Sequence, residues 1–342
     1  MNVLIIGGTG FIGYHACRQL VSRGHHVTLV GLPPEPPAGL FPEQVDILLD
    51  DINSYDDSAL QRLFITFETV IFAAGVDDRA VPDGSADLFF YRENVLSTVR
   101  LVSTAMKSWV SRFIVLGSYF SYFDREWVEL DLAGHNPYVM SRRQQQELGA
   151  AIAGHDMEFA VLELPYIFGA MPGKIPLWQP LVDYVRSGVE LFYSNGGSNM
   201  IAVERVAEAI VGAVERPDIR GNYTVGDRNV SWVEFLQGLC AAAGREDSKV
   251  RIVNDDTVHN LSWVGDAFFR LHGKESGLTP SNFSRVQTAY TYFDPAASQR
   301  ALGYSGGGLE RAWQDTVDAC PQRRRLKTLS HYIARTKKTL GY

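Results

Sequence analysis

Short apolar runs alternate with longer segments of helical periodicity along the first half of the chain. The runs at 2–6 (NVLII), 26–30 (HVTLV), 45–49 (VDILL), 69–74 (TVIFAA), 112–116 (RFIVL) and 159–164 (FAVLEL) each predict a strand. Between them, 12–23 and 94–107 place apolar residues at helical spacing, as in Val95, Val99, Val102 and Met106. Strands that are apolar almost throughout, rather than at alternate positions, belong in a sheet covered on both faces. The alternation predicts an α/β fold with a Rossmann-like, doubly wound parallel sheet, which takes ligands beyond the carboxyl ends of its strands.

After Pro165 the rhythm changes. Proline and glycine crowd "LPYIFGAMPGKIPLWQP", helical patterns follow at 204–215 and 231–243, and regular alternation stops. This predicts a sheet domain over 1–165, completed by parts of 200–227, and a smaller substrate-binding lobe from 166–200 and 228–320. The segment 31–44 holds five prolines and reads as a stiff exposed loop.

Composition narrows the partners. The 342 residues are 46% hydrophobic, enough for a sizeable core, and the net charge of −7 gives a nucleic-acid or acidic-membrane partner no global support. The tail 321–342 departs from that balance, with seven Lys/Arg and no acid along an apolar stripe of Leu326, Leu329, Ile333 and Leu340. It fits docking on the acidic body or on a second subunit of a homodimer; binding a polyanion is the competing reading. Cys17, Cys240 and Cys320 form no CxxC, which favours a reducing cytoplasm, and no apolar run approaches the ~20 residues of a membrane helix.

The candidate chemistry starts at "IIGGTGFIG". Gly7, Gly10 and Gly13 follow a strand and open an amphipathic helix, Ile12, Ala16 and Leu20 marking its apolar face. In that setting missing side chains let a pyrophosphate approach the backbone at a positive helix N-terminus. A tight turn with no ligand is the plain alternative.

The spacing GxxGxxG resembles the cofactor loop of extended short-chain dehydrogenases/reductases, the NAD-dependent epimerase/dehydratase family. Further pieces resemble that family in its own order: "LLDDIN", "VIFAAG", "ENVLSTVRLVSTAMKSWVSRFIVLGS", "NPYVMSR", "NYTVGDRNVSWVEFL" and "TYFDPAASQRALGY". The resemblance spans nearly the whole chain. It implies NAD or NADP as cofactor and a small-molecule substrate. By the same resemblance, Gly7, Gly10, Phe11, Ile12 and Gly13 hold the dinucleotide. Asp51 and Ile52 contact its adenine, and Ala73, Ala74, Gly75 and Pro165 line it.

Carbonyl–alcohol exchange with a nicotinamide needs a proton donor and acceptor beside the reacting carbon. The resemblance assigns that to Tyr138, with Ser118 on the reacting oxygen. The family's lysine four residues on is here Arg142, which keeps the charge and can bond ribose but cannot relay a proton. Asn94 has two readings, ordering a carbonyl or water at the site or capping a helix. Ser118 could also be a strand-end cap, and Tyr138 an aromatic packed on the lobe. Tyr166, Phe168 and Trp178 suit an apolar substrate pocket, and equally suit the lobe's core.

Other departures bear on substrate and cofactor. Strand 2 ends Gly31-Leu32, with neither the acid of NAD forms nor the arginine of NADP forms. Ser198 or Asn199 stands where nucleotide-sugar members carry an arginine on the diphosphate, and Glu163 where an arginine is common. The expectation is therefore an oxidoreductase on an alcohol or ketone of a less charged small molecule. The alternatives are a sugar or nucleotide-sugar epimerase/dehydratase, or a non-catalytic dinucleotide-binding sensor or scaffold, which Arg142 in place of the usual lysine keeps open. No HxxxH, HExxH or GxSxG occurs, so neither a metal site nor a nucleophile elbow is indicated.

Overall fold

The computed structural model describes residues 1–322; all of the basic tail except its first two residues therefore lies outside the described residues. Six strands arise close to where the apolar runs place them: β1 (Asn2–Ile6), β2 (His26–Gly31), β3 (Asp46–Leu49), β4 (Thr69–Phe72), β5 (Arg112–Ser118) and β6 (Glu158–Leu164). Later strands are β7 (Tyr166–Phe168), β8 (Leu191–Ser194), β9 (Gly197–Ala202), β10 (Gly221–Thr224), β11 (Arg228–Ser231), β12 (Val250–Val253) and β13 (Tyr290–Thr291).

The main sheet has seven strands in the order β10-β6-β5-β4-β1-β2-β3, all parallel. Its two faces account for the continuous apolar runs. Val3 and Ile5 of β1 pack on one side among Leu20, Leu29 and Ile210, while Leu4 and Ile6 pack on the other among Leu60, Phe72 and Leu101. Each such fully buried side chain stabilises the fold by ~1.5–3 kcal/mol. Strand order reverses between β1 and β4, so the carboxyl ends diverge there and leave a crevice.

The helix predicted at 94–107 begins earlier and is not uniform. It runs Ala86–Phe90 as α-helix, Tyr91–Leu96 as a π turn and Ser97–Lys107 as α-helix again. Of the predicted face Val95 and Val102 are buried and Val99 and Met106 half-buried, while Leu101 and Ala105 join the buried side.

A second sheet is centred on β9, which pairs antiparallel with β11 and parallel with β7 and β13. Helices Gln179–Arg186, Trp232–Ala242 and Leu309–Ala319 cover it through Phe168, Trp232, Phe235 and Trp313. Among the described residues no helix is long and apolar enough to cross a membrane.

Candidate active site

Three glycines do three different jobs in the loop between β1 and helix Phe11–Ser22. Gly7 has φ +86°, and a Cβ there would meet the Ala73–Ala74 backbone at 2.8 Å. Gly13 lets the helix settle on the loop, since its Cβ would lie 2.6 Å from Gly8 Cα. A Cβ on Gly10 would meet only Gly7 O at 3.0 Å, so this position borders open space. No side chain caps the helix that starts after Gly10, which leaves its first N–H groups available to an anion.

That open space is a cleft of about 690 Å³ at the switch point. Its floor holds Gly7, Gly10, Asp51, Ile52, Ala73, Ala74 and Gly75. Asp51 is fixed as the cap of a short 3₁₀ turn, its carboxylate accepting from Asn53 N at 2.9 Å. Phe11 and Ile12 pack instead against the first core cluster, and Pro165 is buried at the β6–β7 junction; none of the three lines the cleft. The proline-rich loop does more than extend into solvent, because Leu32 to Pro37 form one wall. Met171 to Lys174 form the opposite wall, anchored by a hydrogen bond between His15 Nε2 and Ala170 O at 2.9 Å.

Where β4 ends, the cleft meets a buried polar network. Asn94 sits in the π turn rather than at a helix start. Its Oδ1 accepts from Val76 N at 2.8 Å, and its Nδ2 donates to Val76 O at 3.2 Å and Ser141 Oγ at 3.1 Å. Arg142, four residues after Tyr138 in helix Pro137–Ala153, donates from Nη1 to Gln145 Oε1 at 2.9 Å and from Nη2 to Val76 O at 3.0 Å. Gly75 must be glycine for this approach, since its Cβ would lie 2.5 Å from Arg142 Nη1. Among the described residues Arg142 Nε is buried without a partner. An orphaned buried donor beside the cleft fits a ligand hydroxyl, as the ribose of a dinucleotide would supply.

Tyr138 lies under this guanidinium, with Cζ 5.3 Å from its ring centroid, and edge-on to Phe90. It is buried, and burial raises its phenol above the ordinary value. Arg142 and the Ser118 hydroxyl pull it back down while Asp78 pushes it up. Ser118 also caps local backbone, accepting from Phe120 N at 3.3 Å. A phenol so held keeps its proton to higher pH than an exposed one.

Two residues not singled out in the sequence belong to this neighbourhood. Asp78, half-buried after β4, acts electrostatically on Tyr119, Tyr138 and Tyr166 together, and burial followed by Asp77 raises its own carboxyl. Tyr119, next to Ser118, is pushed up to about 12 by burial and hydrogen-bonds Ser198 Oγ at 3.0 Å. The signals were their places just beyond two strand ends, but "VDDRA" reads as an ordinary acidic loop.

Phe168 and Trp178, expected as candidates for a substrate pocket, pack inside the second lobe. Phe168 is fully buried and stacks on Trp178 at 4.5 Å, whose indole N–H donates to Ile167 O at 2.9 Å. Tyr166, half-buried like Trp178, has its ring 5.3 Å from Trp178, 5.6 Å from Trp232 and 6.0 Å from Tyr119. Ser198 and Asn199 are fully buried on β9, and Asn199 is engaged by Asp227 N and Asn229 at 2.9 Å each. Glu163 is likewise internal, accepting from Arg125 at 2.7 and 2.8 Å and from Gln146 at 2.9 Å. Among the described residues no group of His, Cys, Asp and Glu could hold a metal ion.

Residues 3–226 match the model of the NAD dependent epimerase/dehydratase family. The chain belongs to that family. It is thus an NAD(P)-dependent enzyme of the epimerase/dehydratase type. It is similar to the UDP-glucose 4-epimerase of Bacillus subtilis, 24% identical over 92% of this chain and 96% of the relative. It also resembles the human sterol-4-alpha-carboxylate 3-dehydrogenase (decarboxylating), 25% identical over 94% and 89%. Among solved structures, UDP-glucose 4-epimerase from Bifidobacterium longum, in complex with NAD+ and UDP, superposes with a TM-score of 0.67. That match is 20% identical and covers 93% of this chain and 98% of the other, which shows a shared fold.

Proposed function

We propose that this epimerase/dehydratase family member works at a hydroxyl-bearing carbon of a sugar or nucleotide sugar, with Tyr138 exchanging the proton. The observation that carries the reading is that Tyr138 meets Ser118 and Arg142, whose guanidinium lies directly behind Gly75 and Val76 of the cleft lining. A bound nicotinamide dinucleotide would supply the hydride acceptor and donor. Gly7 and Gly10 give its pyrophosphate access to the backbone, Asp51 and Ile52 flank the adenine end, and Arg142 holds a ribose hydroxyl. Ser118 hydrogen-bonds the reacting oxygen. Tyr138 gives its proton to an incoming carbonyl, or takes one from a hydroxyl when a cationic ring lowers its phenol. Segments 166–200 and 228–320 supply the substrate side, the second of them reaching Tyr138 where Gly277 O accepts from its backbone N–H at 3.0 Å.

The UDP-glucose 4-epimerases among the relatives support a sugar substrate over the plain alcohol or ketone expected from sequence. One observation favours a less charged substrate: Ser198 and Asn199, where the family's diphosphate arginine falls, are internal and already bonded. Purified protein tested with NAD+ on UDP-sugars and uncharged polyols, and with NADH on ketones, separates the two. Tyr138→Phe should lower kcat by on the order of 10² on whichever class turns over. Parental kcat in Tyr138→Phe removes the phenol from the chemistry.

A further inference from the structure

The end of β2 cannot carry an acidic side chain. A Cβ on Gly31 would lie 2.1 Å from Thr9 Oγ1 and 2.7 Å from its Cγ2, because Thr9 of the glycine loop fills that space. The chain nevertheless brings a carboxylate to the same cleft by another route. Beyond Gly31 it runs Leu32-Pro33-Pro34-Glu35-Pro36-Pro37 along the cleft wall, and four prolines narrow the backbone choices on both sides of Glu35. Glu35 is the sole charged residue of that run, and it is exposed. The facing wall, Met171–Lys174, closes on this loop: a Cβ on Gly173 would lie 3.8 Å from Pro37 Cγ.

Among the described residues the charges lining the cleft are Glu35, Asp50, Asp51 and Glu93 against Lys174. An adenosine ribose with two free hydroxyls can donate to such carboxylates. A 2′-phosphate brings about two further negative charges into the same space and donates nothing.

We propose that Glu35, on the proline-rich wall, selects the dinucleotide that lacks a 2′-phosphate, in place of the strand-end acid that Thr9 excludes. This rests on the reading of the cleft as the dinucleotide site. Calorimetry on the full chain with NAD+ and with NADP+ tests it. The parent should bind NAD+ on the order of 100-fold more tightly than NADP+. Glu35→Gln should narrow that ratio by about tenfold, and Glu35→Arg should bring it to unity or reverse it. Melting temperatures should stay parental, since the side chain is exposed on a loop. An unchanged ratio in both variants, with NAD+ still bound, overturns the proposal and leaves the cleft reading standing. So does a parent that binds NADP+ as tightly as NAD+ and loses it in Lys174→Ala, which would make Lys174 the discriminator. Failure of the folded parent to bind either dinucleotide overturns the cleft reading and this proposal with it.

Discussion

Gly75→Ala asks whether the position of one guanidinium governs the site. The backbone of Gly75 is not in the left-handed region, so alanine is acceptable to the main chain. Its methyl group would lie 2.5 Å from Arg142 Nη1, where ordinary contacts begin at 3.4 Å, so the guanidinium must withdraw by about 0.9 Å. It has little freedom to do so, being buried, bonded to Gln145 and Val76 and seated over the Tyr138 ring. The bond to Val76 O, 3.0 Å long, is the one that breaks, costing about 1.5–3 kcal/mol for a charged donor. The fold survives that, with a melting temperature lowered by roughly a few degrees. A displacement of about 1 Å at a reacting centre costs on the order of 10² in rate. Dinucleotide affinity by calorimetry and kcat on the preferred substrate are the two readouts; affinity should fall about tenfold and kcat about a hundredfold. Parental values of both, with the lowered melting temperature confirming the strain, would refute a role for Arg142 in holding cofactor or phenol.

Asp78→Asn removes a negative charge that raises the Tyr138 phenol. The phenol then ionises at lower pH. In the oxidising direction the acid limb of the pH–rate profile should move to lower pH, and in the reducing direction the alkaline limb should move the same way; unmoved limbs would separate Asp78 from the proton donor. Trp178→Ala should cost ~3–5 kcal/mol of stability, as for a packed core aromatic, with NAD+ and substrate affinity unchanged. Loss of substrate affinity at full stability would return Trp178 to the pocket.

The main sheet was legible because a strand covered on both faces carries its signature in every residue. Val3 to Ile6 needs no partner to be read. The helix after β4 was legible only as far as its period is uniform. Counting in steps of 3.6 from Val95 reaches Val102, which is buried, and Val99 and Met106, which are half-buried, but it misses Leu101 and Ala105 on the buried side of the helix after the π turn. The glycine loop and the Tyr138–Arg142 pair are local motifs, four residues or a single turn apart, and could be quoted from the sequence. Glu35, Lys174 and Asp78 could not, because their positions depend on which loops meet. Pro37 faces Gly173 across 136 positions of sequence, and no local periodicity records that contact. The packing of the aromatics of 166–178 was hidden for a similar reason. Phe168 points into helices that come from beyond residue 230, and composition alone does not reveal the direction of a side chain.

The π turn at Tyr91–Leu96 also has a meaning for how this site can be inherited or transplanted. One surplus residue in a helix is a length difference, not a difference of residue type, so no substitution elsewhere in the helix reproduces it. Removing any single residue from 91–96 would restore an even helical repeat and rotate everything before the turn by about 100° relative to Ser97–Lys107. Asn94 could then no longer meet both the N–H and the carbonyl of Val76 while Gln145 keeps its bonds to Thr98 Oγ1 and Asn94 O. A scaffold given the side chains of this network but a helix of ordinary length would have the right letters in the wrong frame.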